Sequence, residues 1–209
     1  MRLDRSGIPF IAGAMLPAIA GVVARRPGFA VPFGVLAAFF AYFFRDPERV
    51  SPVGRDLVLA PADGRILVAG PAEAADAPAG EWLQVSIFLS PIDVHINRTP
   101  VGGTVTRVEY RPGRFLPAYD PHAAEENERT EIWLDHEGTL VVCRQVVGVL
   151  ARRIVCRVSE GDVLEPGDRI GLMKFGSRMD VFLPTDASLM VAPGDTVRGG
   201  ETVVATLGA

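Results

Sequence analysis

The sequence predicts a mainly β fold (β-rich α+β), with a hairpin-built barrel or sandwich body that follows an N-terminal apolar helical hairpin. Three observations support this prediction. After residue 44 the chain is dense in glycine and proline and carries short β-branched runs, which are typical of strands joined by tight turns. No long amphipathic helical period appears in that body. Before residue 45 there are two apolar runs of helical length.

The two apolar runs occupy residues 7–23 and 29–44, and the basic segment Arg25-Arg26-Pro27-Gly28 separates them. Each run is slightly shorter than the roughly 20 residues of a bilayer-spanning helix. Prolines inside both runs also disfavour regular helices. We therefore predict a shallow helical hairpin in the membrane interface, with two spans as the alternative.

Charge is distributed unevenly along the chain. Lysine and arginine number 21 against 25 acidic residues, a net charge of −4; residues 1–44 carry four arginines and one aspartate (+3), which leaves −7 for the rest. A basic apolar head on an acidic body indicates an anionic membrane surface as partner and argues against nucleic acid. We predict a peripheral or monotopic protein at the cytoplasmic face of the cell membrane.

A secretory signal is the alternative interpretation of the head. Arg2 and Arg5 precede an apolar core, and residues 18–20 (Ala-Ile-Ala) resemble a cleavage site. The second apolar run argues against export. Cys143 and Cys156 do so too, because they lie in apolar runs without disulfide or metal spacing and predict buried, reduced thiols.

Ten runs of the body predict strands. They are residues 57–59, 65–68, 83–89, 104–110, 130–134, 140–149, 153–158, 169–173, 179–183 and 202–206. The polar connection 112–127 predicts a mobile loop over a site. The expected domains are thus a membrane-associating hairpin, 1–44, and a catalytic β-rich domain, 45–209.

A weak internal repeat lies near the C-terminus. The pattern Gly-Asp-x-Leu-x-x-Gly-x-x-Ile at 161–170 returns as Gly-Asp-x-Val-x-x-Gly-x-x-Val at 194–203. Each copy predicts a hairpin with turns that glycine permits. Because paired units of this type occur in biotinyl and lipoyl carriers, the body is expected to resemble their sandwiched barrels.

Gly176-Ser177, between the two copies, is a candidate reactive bond. In a suitable turn the Ser177 hydroxyl can attack the Gly176 carbonyl and convert the amide to an ester. Elimination then cuts the chain and leaves a dehydroalanine, which hydrolyses to a pyruvoyl ketone. Such a ketone forms a Schiff base with an amine and withdraws electrons. Glycine suits a strained turn, although a tight turn before a strand is the simpler interpretation of this dipeptide.

Two further segments carry candidate acid/base groups. Asp63 precedes a glycine in Ala60-Pro-Ala-Asp-Gly64, where an ordinary Asp-Gly turn is the alternative. Asp93 and His95 stand two residues apart and share a face if the segment is extended. A histidine beside a carboxylate can act as an oriented acid or base, and a polar pair at a strand end is the alternative.

Together and in this order, these segments closely resemble the phosphatidylserine decarboxylase family, from about residue 45 to the C-terminus. The matching stretches are DPER at 46–49, APADGRI at 60–66, SIFLSPIDVHINRTPVGG at 86–103, NERTE at 127–131, EGD at 160–162 and GDRIGLMKFGSRMDVFLP at 167–184. The apolar head also resembles the membrane-associated N-terminus of short bacterial members.

The resemblance implies a proenzyme that cuts itself at Gly176-Ser177 into a β chain, 1–176, and an α chain, 177–209. The pyruvoyl group made from Ser177 would be the cofactor, with no metal and no pyridoxal phosphate. The substrate would be a membrane phospholipid, phosphatidylserine, which loses CO2 to give phosphatidylethanolamine. The α and β chains would stay partners, and a homo-oligomer is left open.

The resemblance also implies roles for particular residues. Asp63 matches the self-cleavage aspartate, and His95 matches the histidine of decarboxylation, here the expected proton donor. Longer members have a second histidine at the position of Arg98. A guanidinium cannot act as a base in proteins, so Arg98 is instead a candidate ligand for the phosphate or carboxylate of the head group.

An apolar wall near the leaving carboxylate would favour loss of its charge. Met173, Phe175 and Phe182 are candidates for that wall, and core packing is their alternative role.

Two rival functions rest on Lys174, the only lysine of the chain. One is a carrier domain modified at Lys174, and the other is a membrane-bound serine hydrolase that uses Ser177 with Lys174. A pyruvoyl decarboxylase with another amine substrate is the third rival.

Overall fold

The structure is a computed structural model that describes residues 2–73, 77–120, 122–149, 153–174 and 176–208. The chain divides into two compact units, Met1–Glu48 and Arg49–Ala209. The fold is mainly β, with a curled half-barrel sheet and an apolar helical N-terminus. The predicted fold class is confirmed to that extent.

The first unit is a helical hairpin. Helix α1 (Ile8–Val23) and helix α2 (Pro27–Phe43) pack against each other. Strand β1 (Arg2–Leu3) pairs with β2 (Arg45–Asp46) at the open end of the hairpin. Both helices continue through an internal proline, so the expectation that proline would interrupt the helices is wrong. Each proline removes only one backbone hydrogen bond.

Small residues allow the two helices to approach closely. A Cβ atom added to Gly21 would lie 2.9 Å from the backbone of Ala30, and Ala14, Ala18 and Ala37 are buried. Large apolar side chains point outward instead and are exposed. The helical segment Arg5–Val23 is long and apolar enough to cross a membrane, whereas α2 is shorter. This length and composition are compatible with membrane association.

The second unit contains the remaining strands and one short helix. They are β3 (Leu57–Leu59), β4 (Gly64–Pro71), β5 (Leu83–Leu89), β6 (Ile96–Arg98), β7 (Gly103–Arg111), α3 (Ala123–Glu126), β8 (Arg129–His136), β9 (Thr139–Val147), β10 (Ile154–Cys156), β11 (Val163–Leu164), β12 (Arg169–Met173), β13 (Ser177–Leu183), β14 (Ser188–Leu189), β15 (Thr196–Val197) and β16 (Val203–Thr206). Every predicted run overlaps one of these strands.

An antiparallel sheet of eight strands forms the main layer, in the order β11-β7-β8-β9-β13-β5-β4-β15. Side chains alternate between its faces. One face, here called the inner face, carries Ile87, Ile132, Cys143 and Val181, which belong to the hydrophobic core. The opposite face, here called the outer face, carries Arg144 and Asp180.

Two small sheets, β10-β12-β6 and β14-β16-β3, complete the body. The strand pairing in these sheets shows that the prediction of a hairpin for each copy of the internal repeat is wrong. In the first copy β11 joins the large sheet and β12 a small one; in the second copy β15 and β16 separate in the same way. Neither copy is therefore a hairpin, and the resemblance to biotinyl and lipoyl barrels is not confirmed. The mistake has a physical cause, because glycine turns predict a reversal of the chain but not its pairing partner.

Candidate active site

Ser177 is the first residue of β13, a strand in the interior of the large sheet. It pairs with Leu89 of β5 on one side and with Val147 of β9 on the other. Cross-strand pairs share a face, so Ser177 lies on the inner face. Its side chain is fully buried, and among the described residues its Oγ has no hydrogen-bond partner. This oxygen is therefore not engaged by another group of the described residues.

Gly176 precedes Ser177 with a φ of +78°. Side chains with a Cβ rarely adopt this conformation, whereas glycine adopts it readily. A Cβ atom at Gly176 would have no described neighbour within 4 Å. Backbone conformation, not lack of space, is thus the reason for glycine at this position.

His95 contacts the same glycine. The Gly176 backbone N–H donates to His95 Nε2 over 3.2 Å, and His95 Nδ1 lies 3.0 Å from the Asp93 carbonyl oxygen. Because Nε2 accepts, the hydrogen-bond network assigns the ring proton to Nδ1, which donates to that carbonyl. His95 is fully buried. The structure therefore holds a neutral imidazole against the residue that precedes Ser177.

The predicted pair of Asp93 and His95 has a different geometry from the one expected. The Asp93 carboxylate accepts the backbone N–H of Ser90 over 2.8 Å and so closes a turn. The main-chain carbonyl oxygen of Asp93 lies 3.0 Å from His95 Nδ1. The expectation required an extended segment, whereas strand β6 begins only at Ile96.

The Gly176 carbonyl group lies directly against Gly148, just after β9. A Cβ atom at Gly148 would collide with the Gly176 carbonyl oxygen and would come within 3.2 Å of the Ala118 Cβ. Ala118 belongs to the connection 112–127, which was predicted to be a loop over a site. The connection thus reaches Gly148, which lies against the carbonyl at which Ser177 would react, and its role as a loop over the site stays a prediction.

Asn127 fastens this connection to the sheet. Its Nδ2 donates to the carbonyl oxygens of Leu116 and Val147, over 2.9 and 2.8 Å, and its Oδ1 accepts the Leu116 N–H over 2.8 Å. Asn127 is fully buried. These bonds hold the connection beside the end of β9, next to Gly148.

Comparisons with known proteins identify the family. The phosphatidylserine decarboxylase family model matches residues 36–205. Three relatives are called phosphatidylserine decarboxylase proenzyme. The protein from Pelodictyon phaeoclathratiforme is 46% identical over 172 residues, 82% of this chain and 81% of the relative. That from Nitrosomonas europaea is 45% identical over 206 residues, 97% and 94% of the two chains, and that from Desulfotalea psychrophila is 41% identical over 201 residues, 96% and 94%.

The chain belongs to the phosphatidylserine decarboxylase family. The resemblance stated from the sequence motifs is thereby confirmed.

Asp63, the family's expected self-cleavage aspartate, lies apart from Ser177. Its Oδ2 forms a 2.8 Å ion pair with Arg49, and its Oδ1 accepts the Gly199 N–H over 2.8 Å. The next residue, Gly64, packs on the carbonyl of Phe88 in β5. Because β5 separates β4 from β13, the structure does not bring Asp63 into contact with Ser177. Its role stays a prediction.

Arg98 is also distant from the Gly-Ser bond. It is buried, and its Nη1 donates to the Gly167 carbonyl over 2.8 Å. In β6 it pairs with Arg169, at the opposite end of β12 from Gly176. Three residues of extended chain separate it from His95 by about 10 Å. Its role as a head-group ligand stays a prediction.

An amide pair on the inner face was missed by the sequence reasoning. Gln145 pairs with Met179 and shares the face of Ser177. Its Nε2 donates to Asn97 Oδ1 over 2.8 Å, which joins β9 to β6. Gln145 Oε1 and Asn97 Nδ2 are buried, and the described structure gives neither a partner. No motif signals such a pair, because the contact depends on how two sheets pack.

The described candidates for an apolar wall beside Ser177 do not lie together. Met173 is a buried core residue whose backbone N–H donates to the His95 carbonyl over 3.4 Å. Phe182 lies on the outer face, with the Arg144 guanidinium 4.6 Å from its ring centre, so it does not contribute to a wall beside Ser177. Phe175 lies outside the described residues. Because Ser177 Oγ has no partner, the described structure lacks the Ser177–Lys174 hydrogen bond expected of a serine hydrolase.

The two thiols, Cys143 and Cys156, are not joined in a disulfide. Burial raises the pKa of both, so both are kept as unreactive thiols. Within the described ranges, no group of three or more histidine, cysteine, aspartate or glutamate side chains is arranged to hold a metal ion.

Proposed function

We propose that this enzyme is a self-processing phosphatidylserine decarboxylase that converts phosphatidylserine to phosphatidylethanolamine and CO2 at a membrane. The observation that carries the proposal is the arrangement at one bond. A buried Ser177 hydroxyl, for which the described part of the chain offers no hydrogen-bond partner, follows a glycine at φ +78°, and His95 contacts that glycine. Family membership supplies the substrate class, because the relatives are named for this activity.

Self-cleavage would use groups that the chain already contains. Ser177 Oγ attacks the Gly176 carbonyl carbon and loses its proton, the bond from that carbon to the Ser177 nitrogen breaks, and the nitrogen takes up a proton. Loss of the Ser177 α-proton and departure of the Gly176 carboxylate then cut the ester. Water replaces the nitrogen as ammonia. The products are chains 1–176 and 177–209.

The residues around position 177 fit a pyruvoyl group. The position is buried and lies between two strands, which excludes competing water. When formed, the group supplies a ketone that captures the amine of the serine head group and withdraws electrons from the bond to its carboxylate. His95 would first have to take up a proton at Nε2, which accepts the Gly176 N–H in this structure, and would then deliver it to the α-carbon after CO2 leaves.

The amide pair would orient the polar head group. Gln145 Oε1 and Asn97 Nδ2 offer one acceptor and one donor on the inner face. If both amides were flipped, the pair would still offer one of each. A serine head group carries an ammonium and a carboxylate, which need such complementary partners. These amides would thus provide polar contacts for the head group on the face of the sheet that carries Ser177.

The helical hairpin would hold the enzyme at its lipid substrate on the cytoplasmic side of the membrane. Its outward-facing side chains are largely apolar and exposed, which suits contact with lipid rather than water. Arg25 and Arg26 at the tip would contact anionic head groups.

Intact mass of the purified full chain tests the central step. The unsubstituted protein should show two fragments that divide at Gly176-Ser177, and the 177–209 fragment should be lighter by one ammonia than the same fragment with a serine at its N-terminus. Ser177→Ala should remain one chain without activity, since its side chain has no nucleophile. Ser188→Ala, an exposed serine in β14, is the matched control and should cut normally. Normal cutting of Ser177→Ala would contradict the proposal.

A further inference from the structure

The outer face of the large sheet carries an unusual amount of charge. Ser177 and Val147 form a pair on the inner face, so the neighbouring Val146 points outward. Arg129 pairs with Val146, and Arg111 pairs with Arg129. A row of basic side chains therefore lies on the side of the sheet opposite the proposed catalytic serine.

A pocket of about 200 Å³ opens on this outer face. Residues 77–79 form one wall. The sheet supplies the polar lining, which consists of Arg107, Arg111, Arg129, Arg144, Glu131 and Trp133. A single water takes up roughly 30 Å³ of liquid volume, so the pocket has room for a small polyatomic ion.

Positive charge exceeds negative charge in the described lining. Glu131 is bonded to Arg144 at 2.8 and 3.0 Å, but its distance to Arg129 is 3.8 Å. Arg107 and Arg111 share a second carboxylate, Glu109. Four guanidinium groups thus meet the carboxylates of Glu131 and Glu109, and Glu125 adds a third negative charge near Arg129, so one positive charge is left over in the described residues.

Arg129 is the arginine of the pocket that its neighbours repel most clearly. Burial, and then the nearby guanidinium groups of Arg144 and Arg111, lower the pKa of Arg129. Its side chain is only 13% exposed, so water compensates little of this repulsion. A bound anion would remove the repulsion.

Three buried polar atoms of the lining lack a hydrogen-bond partner in the described structure. Two are donors, Arg129 Nε and Trp133 Nε1, and the third is an acceptor, Glu131 Oε2. Buried donors and acceptors are normally satisfied, because an unpaired buried polar atom destabilises the folded protein. Orphans of both kinds in one pocket indicate a missing ligand that accepts hydrogen bonds and also donates one.

We propose that this pocket is a second ligand site, separate from the catalytic serine, that binds a phosphate group. Phosphate oxygens would accept from Arg129 Nε, Trp133 Nε1 and the guanidinium groups of Arg107 and Arg111. The orphaned Glu131 Oε2 would accept from a donor attached to the same ligand. That donor is a P–OH in free phosphate or the ammonium group in a phosphoethanolamine head group.

The protein contains its own probe for this site. It has two tryptophans, Trp82 and Trp133, whose rings form an edge-to-face pair with centroids 6.4 Å apart. Intrinsic tryptophan emission therefore reports on the pocket without a label. The full chain in a maltoside detergent would be titrated with sodium phosphate and, separately, with glycerophosphoethanolamine. Sodium chloride at matched ionic strength is the reference.

We expect a saturable change of emission with at least one of the two probes. Arg129→Gln and Arg111→Gln should each weaken binding by about tenfold or more, because each removes a charged hydrogen-bond donor. Arg111 is 46% exposed, so its substitution tests the site even if Arg129→Gln fails to fold. Arg55→Gln, which removes an exposed arginine from an unrelated ion pair, should leave binding unchanged.

The two probes distinguish the sources of the phosphate. Tighter binding of glycerophosphoethanolamine identifies a lipid head group as the occupant, and tighter binding of sodium phosphate identifies free phosphate. The proposal is overturned if neither probe changes the emission beyond sodium chloride. It is equally overturned if the folded Arg111→Gln protein binds as tightly as the unsubstituted chain.

Discussion

At the residue scale, the protein keeps a fully buried serine hydroxyl without a partner in the described structure. Such a group costs about 1–3 kcal/mol of folding free energy. Gly176 holds a backbone conformation that other residues rarely adopt, directly before this hydroxyl. Unfavourable local features of this kind concentrate at functional sites. Their coincidence at one peptide bond supports a chemical role for Ser177.

His95 gives the first prediction at this scale. His95→Gln keeps a side chain that can accept the Gly176 N–H, but it removes the group that can carry a proton. Decarboxylation should fall by roughly 10²–10⁴-fold, the usual contribution of a general acid. Release of CO2 from phosphatidylserine in mixed micelles measures the rate.

Intact mass of the same variant separates the two reactions. An uncut His95→Gln chain would assign His95 to self-cleavage, because its inactivity would then follow from the missing ketone, and a cut but inactive chain would assign it to decarboxylation. The control is His122→Gln, whose side chain is exposed. Undiminished turnover in His95→Gln would exclude this histidine as the proton donor.

At the element scale, strand β13 is paired along almost its whole length on both sides. It forms seven residue pairs with β5 and six with β9. Cutting before Ser177 would therefore leave the new chain end held by two neighbouring strands. The short fragment would also contribute β16 to the small sheet with β3. This pairing explains how two chains would remain one molecule.

The end of β9 gives the second prediction of the Discussion. Gly148→Ala should push a methyl group against the Gly176 carbonyl, and because the neighbour is backbone, it cannot move away easily. We expect slower self-cleavage and a loss of about 1–3 kcal/mol in stability, as is typical of overpacking. The uncut fraction over time, by intact mass, measures the first effect, and thermal unfolding measures the second.

Gly70→Ala is the matched control for this prediction. A Cβ atom at Gly70 in β4 would have no described neighbour within 4 Å, and its φ is not in the left-handed region. This variant should cut normally. A Gly148→Ala protein that is folded and cut as fast as the control would show that the contact between Gly148 and Gly176 does not position the bond.

At the scale of the whole molecule, an apolar helical unit is joined to a polar β-rich unit. Leu16 of α1 and Val35 of α2 are 68% and 65% exposed, on a hairpin whose outward face is largely apolar. Leu16→Glu with Val35→Glu should weaken binding to phosphatidylglycerol-containing vesicles by more than about tenfold. The reason is that moving a charged carboxylate from water into the apolar part of a membrane is costly.

Sedimentation with those vesicles measures the effect. Val163→Glu is the control, since Val163 is 76% exposed but belongs to the β-rich unit. The doubly substituted protein should keep its self-cleavage, which isolates membrane binding from chemistry. Unchanged sedimentation of the double variant would contradict the role of the hairpin.

The sequence by itself determined the family, the apolar head and most strands. Collinear motifs such as APADGRI and the Gly176-Ser177 segment are local, and a two-residue period in a run such as 83–89 reports directly on strand structure. Some very short strands, such as β6 and β11, were not predicted, because they are too short to show a period.

Only the tertiary structure decided which side chains meet. It brought His95 to Gly176, separated Asp63 and Arg98 from Ser177, and joined Gln145 to Asn97. It also gathered the basic pocket from arginines on three strands. The physical reason is that such contacts depend on strand register and on the packing of distant segments, and the local propensities of a sequence do not specify either.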